Sequence, residues 1–143
     1  MNILFICKFN RFRSKVAEND FLDLIKKKKI DKYFETKGRG TNNDLTRPFM
    51  SKIVVELLKK KDIEVIDEKS YLINNYDIKW ADKIIIVADN VNSDLFPKEK
   101  TVIFPIKDAS ELEHEKVRRI INQIYRVINK YVDELEKSKV YMV

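Results

Sequence analysis

Four consecutive apolar residues, Ile3-Leu4-Phe5-Ile6, form the first strand-length run of this 143-residue chain, with no polar residue between them. A strand with one wet face alternates apolar and polar side chains, so a continuous apolar run must be covered on both faces. That requirement predicts a parallel sheet held between two layers of helix. The run ends at Cys7, and a short loop then opens an amphipathic segment that carries Val16, Phe21, Leu24 and Ile25 inward. Ser14 stands where that helix begins, and its hydroxyl suits an N-cap.

The rest of the chain continues the alternation. A strand is expected near residues 32–37, followed by a polar loop that holds both glycines, Gly38 and Gly40, and runs to Pro48. Pro48 suits the first turn of a helix whose Ile53, Val54, Leu57 and Leu58 share one face. A short helix near 71–78 precedes Lys83–Ala88, an apolar and β-branched run that reads as a central strand. Thr101–Phe104 reads as a fourth strand. The last helix, over about 111–137, has the clearest period, through Val117, Ile120, Ile121, Ile124, Val127, Ile128, Tyr131 and Leu135. No repeat or linker interrupts the series, so residues 1–143 are expected to form one domain. Its architecture is expected to be three-layer α/β, with a four-stranded parallel sheet of the flavodoxin-like kind and the first strand near the switch point.

Ligands of open α/β sheets bind beyond the carboxyl ends of the strands, where Cys7 falls. Loop amides and a helix N-terminus attract an oxyanion there, and the same field favours a thiolate. Arg13 offers a planar fork to two phosphate oxygens. Ser14 can donate a hydrogen bond to the thiolate, and Asn10 tolerates the left-handed backbone of a tight loop. A lone cysteine at a strand end is most often a small buried hydrophobe. Position at the mouth of the sheet is what favours chemistry. Lys8, Phe9, Asn10, Arg11, Phe12, Arg13 and Ser14 would form the phosphate-binding loop. On sequence alone Asp108 suits either a helix cap or a general acid. Asp89 suits a bracing role, His114 a solvated position, and Arg11, Arg39 and Arg47 the rim.

Composition narrows the partners. At 44% hydrophobic the chain is globular, and no run of about 18 apolar residues could span a membrane. No basic start leads to a small-residue cleavage site, so a signal peptide is not expected. One cysteine excludes an internal disulfide and suits a reducing, cytoplasmic setting. The net charge of +6 is spread along the chain, and Lys26-Lys27-Lys28-Lys29 closes a helix, where cations suit the dipole. Nothing resembles a nucleic-acid module, so no nucleic-acid partner is expected. With one Cys and one His, neither a metal nor a cofactor is expected.

Cys7, Asn10, Arg13, Ser14, Ala17 and Glu18 match an opening motif, and by it the chain resembles the low-molecular-weight protein tyrosine phosphatases and the related thiol-linked arsenate reductases. Gly40-Thr41 resembles the family's turn after the second strand. Ala81-Asp82, with Ile84-Ile85-Ile86-Val87 and Asp89, resembles its third strand, and Phe104–Ala109 lies where it carries an Asp-Pro acid loop. The resemblance implies the phosphotyrosine phosphatase I-like fold. It also implies a phosphomonoesterase working through a phosphocysteine, with catalytic residues Cys7, Arg13, Ser14 and Asp108. Cys7 would be the nucleophile, and Asp108 becomes the general acid. The substrate would be a phosphorylated protein or a small phosphomonoester, and the enzyme a monomer or weak dimer.

Departures from the family pattern are equally specific. Phe9 replaces a glycine, which predicts unusual backbone angles at a cost of about 1–3 kcal/mol. Phe12 replaces a second loop cysteine, Lys15 a proline, and Ala109 the proline of Asp-Pro. Ser110-Glu111 stands where tyrosines wall the family's cleft, leaving Phe9, Phe12 or Phe49 as substitute walls. Two alternatives remain. An arsenate reductase would need an external thiol, because Phe96-Pro97 occupies the place of a relay Cys-Pro and no other cysteine exists. An inactive phospho-ligand-binding protein would have no use for the thiolate, so the retention of Cys7, Arg13 and Ser14 argues against it.

Overall fold

The computed structural model describes residues 1–142. Its sheet consists of four parallel strands, β1 (Asn2–Cys7), β2 (Glu35–Gly40), β3 (Lys83–Val87) and β4 (Thr101–Phe104), in the order β2-β1-β3-β4. β1 lies between β2 and β3, pairing Cys7 with Gly40 on one side and Ile6 with Ile86 on the other. Ile3, Leu4, Phe5 and Ile6 are completely buried, as a strand covered on both faces requires. Ile3 and Phe5 join a core built with α1 (Arg13–Lys27), α2 (Lys52–Lys60) and α4 (His114–Ser138). Leu4 and Ile6 join a smaller core with Ala81, Ile84, Ile86 and Phe96, over which Ile78 and Trp80 of α3 (Asn75–Trp80) pack. Two cores on two faces make the three layers.

Several boundaries differ from the sequence reading, among them the short helix expected near 71–78, which starts only at Asn75 and runs to Trp80. Residues 31–33 form a single 3₁₀ turn rather than the start of β2, and Phe34 after it is buried against Phe21 and Tyr141. Both glycines lie inside β2, not in a loop. Pro48 precedes α2 by several residues, because Phe49 is in extended backbone, bridged to Lys69, and the helix starts only after Ser51. Of the predicted faces, Val54, Leu57 and Leu58 are buried in α2, while Val132 joins the stripe of α4 and Val127 and Tyr131 sit at its margin.

Other contacts close the helical layer. Phe5, Phe21, Phe34 and Tyr141 form a chain of ring contacts with centroids 5.0–5.4 Å apart. Such tilted and edge-on pairs stabilise beyond the area they bury. Within the lysine run, Lys28 reaches Asp133 at 3.0 Å and Glu136 at 3.1 Å, tying the end of α1 to α4. Among the described residues no helix is long and apolar enough to cross a membrane, and no group of His, Cys, Asp or Glu is placed to hold a metal.

One buried group works against this packing. Asp20 on α1 is 1% exposed, and its Oδ2 has no hydrogen-bond partner among the described residues. Burial pushes its carboxyl up to about 8, opposed by the attraction of Lys61. The unfolded chain releases this proton near pH 4, the folded chain only near pH 8. This group's contribution to stability is therefore full below about pH 4 and declines as pH rises towards about 8. Asp20→Asn is expected to flatten that decline and to stabilise the protein by about 1–3 kcal/mol at pH 8 in urea unfolding. Parallel pH profiles for the two proteins would show that Asp20 is not the source.

Candidate active site

β1 delivers Cys7 to the carboxyl edge of the sheet, at the switch point between β1 and β3. Four carbonyl groups here, those of Cys7, Lys8, Asn10 and Arg11, are committed to the scaffold. Those of Cys7 and Lys8 accept from the N–H groups of Thr41 (3.1 Å) and Asn42 (2.8 Å). That of Asn10 accepts from the Ser70 hydroxyl (2.8 Å), and that of Arg11 from Ser51 N–H (3.2 Å). Among the described residues, no backbone N–H of residues 8–12 donates to another protein group. α1 then begins at Arg13 with Phe12 as its N-cap, and no side chain caps it. Ser14 is therefore not the cap; it lies inside the helix, and its hydroxyl faces the cysteine instead. Loop and first helical turn present free amide donors to an anion.

The loop can turn this tightly for two reasons. Asn10 takes the left-handed backbone, at φ 53°. Phe9 does not have a positive φ, so the strain expected of it is absent, and the turn falls on a residue type that tolerates it. The second reason is Gly40. A Cβ on it would lie 2.7 Å from the carbonyl carbon of Phe9, 2.8 Å from the Lys8 oxygen and 2.9 Å from the Asn10 nitrogen.

Asn10 is fully buried, and its amide orientation follows from its partners. The backbone N–H of Tyr71 can only donate, so the atom 3.0 Å from it is Oδ1. Nδ2 therefore donates to Ser14 Oγ at 2.7 Å. With that oxygen accepting from Asn10, the Ser14 hydroxyl proton is available to a thiolate at Cys7 Sγ, 3.0 Å away. A hydrogen bond of this sense suits a sulfur that carries negative charge.

Arg13 is 2% exposed and is gripped by the loops after β3 and β4. Nη1 donates to the Ile106 carbonyl at 2.8 Å, and Nη2 to Asn90 Oδ1 at 2.9 Å. Asp89 and Asp108 lie farther off, at 3.5 Å from Nη1 and 3.6 Å from Nη2. Asp89 thus sits beside the guanidinium, and Asn90, which carries no motif signal, is the side chain that orients it. Its one sequence clue is its place just beyond the carboxyl end of β3. Asp108 does not cap α4, which starts at His114 behind Glu113. It accepts from Ala109 N–H and keeps its side chain 47% exposed.

A cavity of about 630 Å³ brings together Cys7, Phe9, Phe12, Arg13 and Asp108, with Arg11 and Arg47 at its rim. Lys8, Asn10 and Ser14 are not among its lining residues. The Lys8 ammonium lies over the Phe9 ring, while Asn10 and Ser14 act from behind the loop. Phe49 does not wall the cavity; its carbonyl receives Arg11 Nε at 2.9 Å. Arg39 is away from the rim, paired with Asp77 at 3.0 Å and stacked on Tyr71. His114 is exposed at the start of α4.

The family model for low molecular weight phosphotyrosine protein phosphatases matches residues 2–140. This chain belongs to that family. None of the curated proteins matches its sequence. Among solved structures, a low molecular weight protein tyrosine phosphatase from T. tengcongensis aligns with a TM-score of 0.81 at 24% identity, over 94% of this chain and 99% of that one. The YwlE arginine phosphatase of Bacillus subtilis, in a mutant with a phosphorylated active-site serine, aligns with a TM-score of 0.82 at 15% identity, over 99% of each chain. A thioredoxin-dependent arsenate reductase from Corynebacterium glutamicum aligns at 0.72 and 19% identity, over 96% of this chain and 62% of that one. At these identities the alignments speak for the fold; the phosphatase family rests on the match along the chain.

Within this phosphatase Lys15, at the position where the resemblance implies a proline, lies in the first turn of α1. It is 3% exposed, burial lowers its pKa, and Nζ donates to the Asp67 carbonyl at 2.8 Å. The lysine thus braces the strap whose Tyr71 N–H orients Asn10. Gly40→Ala is the sharpest test of the loop's support. The added Cβ meets backbone that cannot move without opening the loop, so a loss of about 1–3 kcal/mol in urea unfolding is expected, with weakened phosphate binding. Unchanged binding would show that the loop does not depend on that contact.

Proposed function

We propose that this phosphatase is a cysteine-dependent phosphomonoesterase that works through a phosphocysteine. The observation that carries this reading is the convergence of Cys7 Sγ, with the Ser14 hydroxyl 3.0 Å behind it, and the held fork of Arg13 at one cavity. The thiolate of Cys7 attacks phosphorus, a sulfur–phosphorus bond forms, and the ester oxygen leaves with the bonding electrons. The uncommitted amides of residues 8–12 and the guanidinium of Arg13 hold the phosphoryl oxygens and offset their charge. Asp108 gives its proton to the leaving oxygen. It then takes one from the water that hydrolyses the phosphocysteine, releasing phosphate and the thiolate. Ser14 steadies the sulfur in both steps. Lys8, Phe9, Asn10, Arg11 and Phe12 serve through their backbone, and the sequence invokes no metal or cofactor.

Residues 1–143 act as one catalytic unit in this reading, as a monomer or weak dimer. A buried nucleophilic thiol without a second cysteine nearby suits the reducing cytoplasm. Phe9 and Phe12 wall the cavity where the leaving group would sit, so aromatic phosphoesters fit the available surface.

Hydrolysis of para-nitrophenyl phosphate, phosphotyrosine and an alkyl phosphate, without added metal, tests the scheme. Wild type is expected to turn over, and Cys7→Ser to bind phosphate without turnover. Asp108→Ala is expected to slow alkyl and tyrosyl esters by about 10²–10⁴-fold and the nitrophenyl ester less, because a good leaving group needs no proton. Equal losses would place the acid elsewhere. Failure on every ester, together with arsenate reduction by an added small thiol, would replace this reading with the reductase.

A further inference from the structure

The mouth of the cavity carries a charged cluster that the ester chemistry leaves unused. Glu111 Oε1 lies 2.6 Å from Arg11 Nη2 and 3.5 Å from Arg47 Nη1, so two guanidinium groups converge on one carboxylate oxygen. The Arg11 side chain is only 13% exposed, and Glu111 is its one carboxylate partner among the described residues. Arg47 is steadied from behind by Asp44 at 2.8 Å. Arg11, Arg47 and Glu111 all line the cavity that holds Cys7 and Arg13, yet they come from three separate segments. Arg11 follows β1, Arg47 follows β2, and Glu111 precedes α4. The two cations are thus poised beside the cradle, while the carboxylate that joins them is 41% exposed and free to be exchanged.

Resting on the phosphomonoesterase reading, we propose that Arg11 and Arg47 form a second anion subsite for an acidic residue beside the phosphorylated residue of a peptide substrate. Glu111 is its internal stand-in. Binding exchanges one carboxylate for another, so no cation is left unpaired at any stage, and the released Glu111 turns to solvent. A guanidinium pair meets a carboxylate with charge-assisted hydrogen bonds, and here those bonds form inside a cavity rather than on an open surface. The surroundings favour a peptide over a small metabolite. Leu45, Phe49 and Leu112 are 83%, 57% and 89% exposed, and they stand on the same segments as Arg47 and Glu111. Leu112 lines the cavity beside Glu111, while Leu45 and Phe49 lie outside its lining, so bare apolar side chains flank the paired charges where a chain laid across the mouth would meet them.

The test uses two phosphopeptides that differ only in Glu against Gln beside the phosphorylated residue. Their binding is measured on Cys7→Ser protein carrying Arg47, Arg47→Gln, or Glu111→Gln. The acidic peptide is expected to bind about three- to tenfold tighter to the protein with both Arg47 and Glu111 intact. Arg47→Gln should bring that ratio close to one. Glu111→Gln, which removes the stand-in, should widen it, and raised salt should narrow it. Equal binding of both peptides to all three proteins, or a ratio indifferent to Arg47, overturns the subsite. Turnover of para-nitrophenyl phosphate by protein with Cys7 restored reports on the catalytic reading alone. If that turnover is missing while the binding ratios behave as expected, the esterase fails and the subsite stands.

Discussion

The site depends on one contact between two pieces of backbone, the passage of the loop after β1 across Gly40. A Cβ there would stand within 2.9 Å of three main-chain atoms of residues 8–10, so the loop can close only over a residue without a side chain. Gly38, two positions earlier on the same edge, leaves the space filled by the Glu18 carboxylate and the Asn10 amide. The chain has only these two glycines, and both serve the same few ångströms of packing. Neither has a positive φ, so their use is close approach rather than conformational freedom. Once the loop is closed, its carbonyls find donors on Thr41, Asn42, Ser70 and Ser51, and its amides are left over by elimination. An anion cradle is what remains when most acceptors of a tight loop are satisfied and its donors are not.

Charge at the base of the cavity obeys a similar economy. Burying the guanidinium of Arg13 would be unfavourable without partners. Its shortest contacts, however, go to a neutral carbonyl and a neutral amide oxygen, with the carboxylates of Asp89 and Asp108 held back beyond 3.4 Å. Neutral acceptors orient the fork without cancelling its charge. Asp89 and Asp108 stand at a range where an arriving oxyanion can compete for the fork. Tighter pairing with either aspartate would have stabilised the fold more and left less attraction for a ligand.

The sequence was most legible where one residue type had one physical use. The unbroken Ile3–Ile6 run and the long period of α4 predict their burial because nothing else explains them. β2 reads poorly for the opposite reason. Glu35-Thr36-Lys37-Gly38-Arg39-Gly40 has no apolar residue, and it is a strand because β1 offers it a partner at the sheet edge. Ser14 stands at the right place for a cap, but Asn10 and Cys7 give its hydroxyl better use, and propensity yields to tertiary contact. Around the cavity, Cys7, Asn10, Arg13 and Ser14 are local in sequence and could be read together. The Tyr71 N–H that orients Asn10 leaves no trace in residue identity, since any non-proline residue supplies that donor. Asn90 and the Arg11–Glu111 pair were hidden by distance along the chain.

This division between backbone and side chain explains how the family's cleft can change while its cradle stays. The cradle is made of amides, one left-handed residue and a missing Cβ, and substitution at most positions of the loop leaves those untouched. Phe9 shows as much: it sits in the loop with negative φ while Asn10 bears the turn. The walls are made of side chains, and here Phe9, Phe12 and Glu111 are among those that supply them. A carboxylate at the mouth, Glu111, does more than shape the wall, because its charge must be neutralised. Arg11 and Arg47 do that from two other segments, so this one side chain joins three loops at the mouth. A charged rim of this kind is harder to vary piecemeal than an apolar one, since losing Glu111 takes from the 13% exposed Arg11 side chain its one carboxylate partner among the described residues.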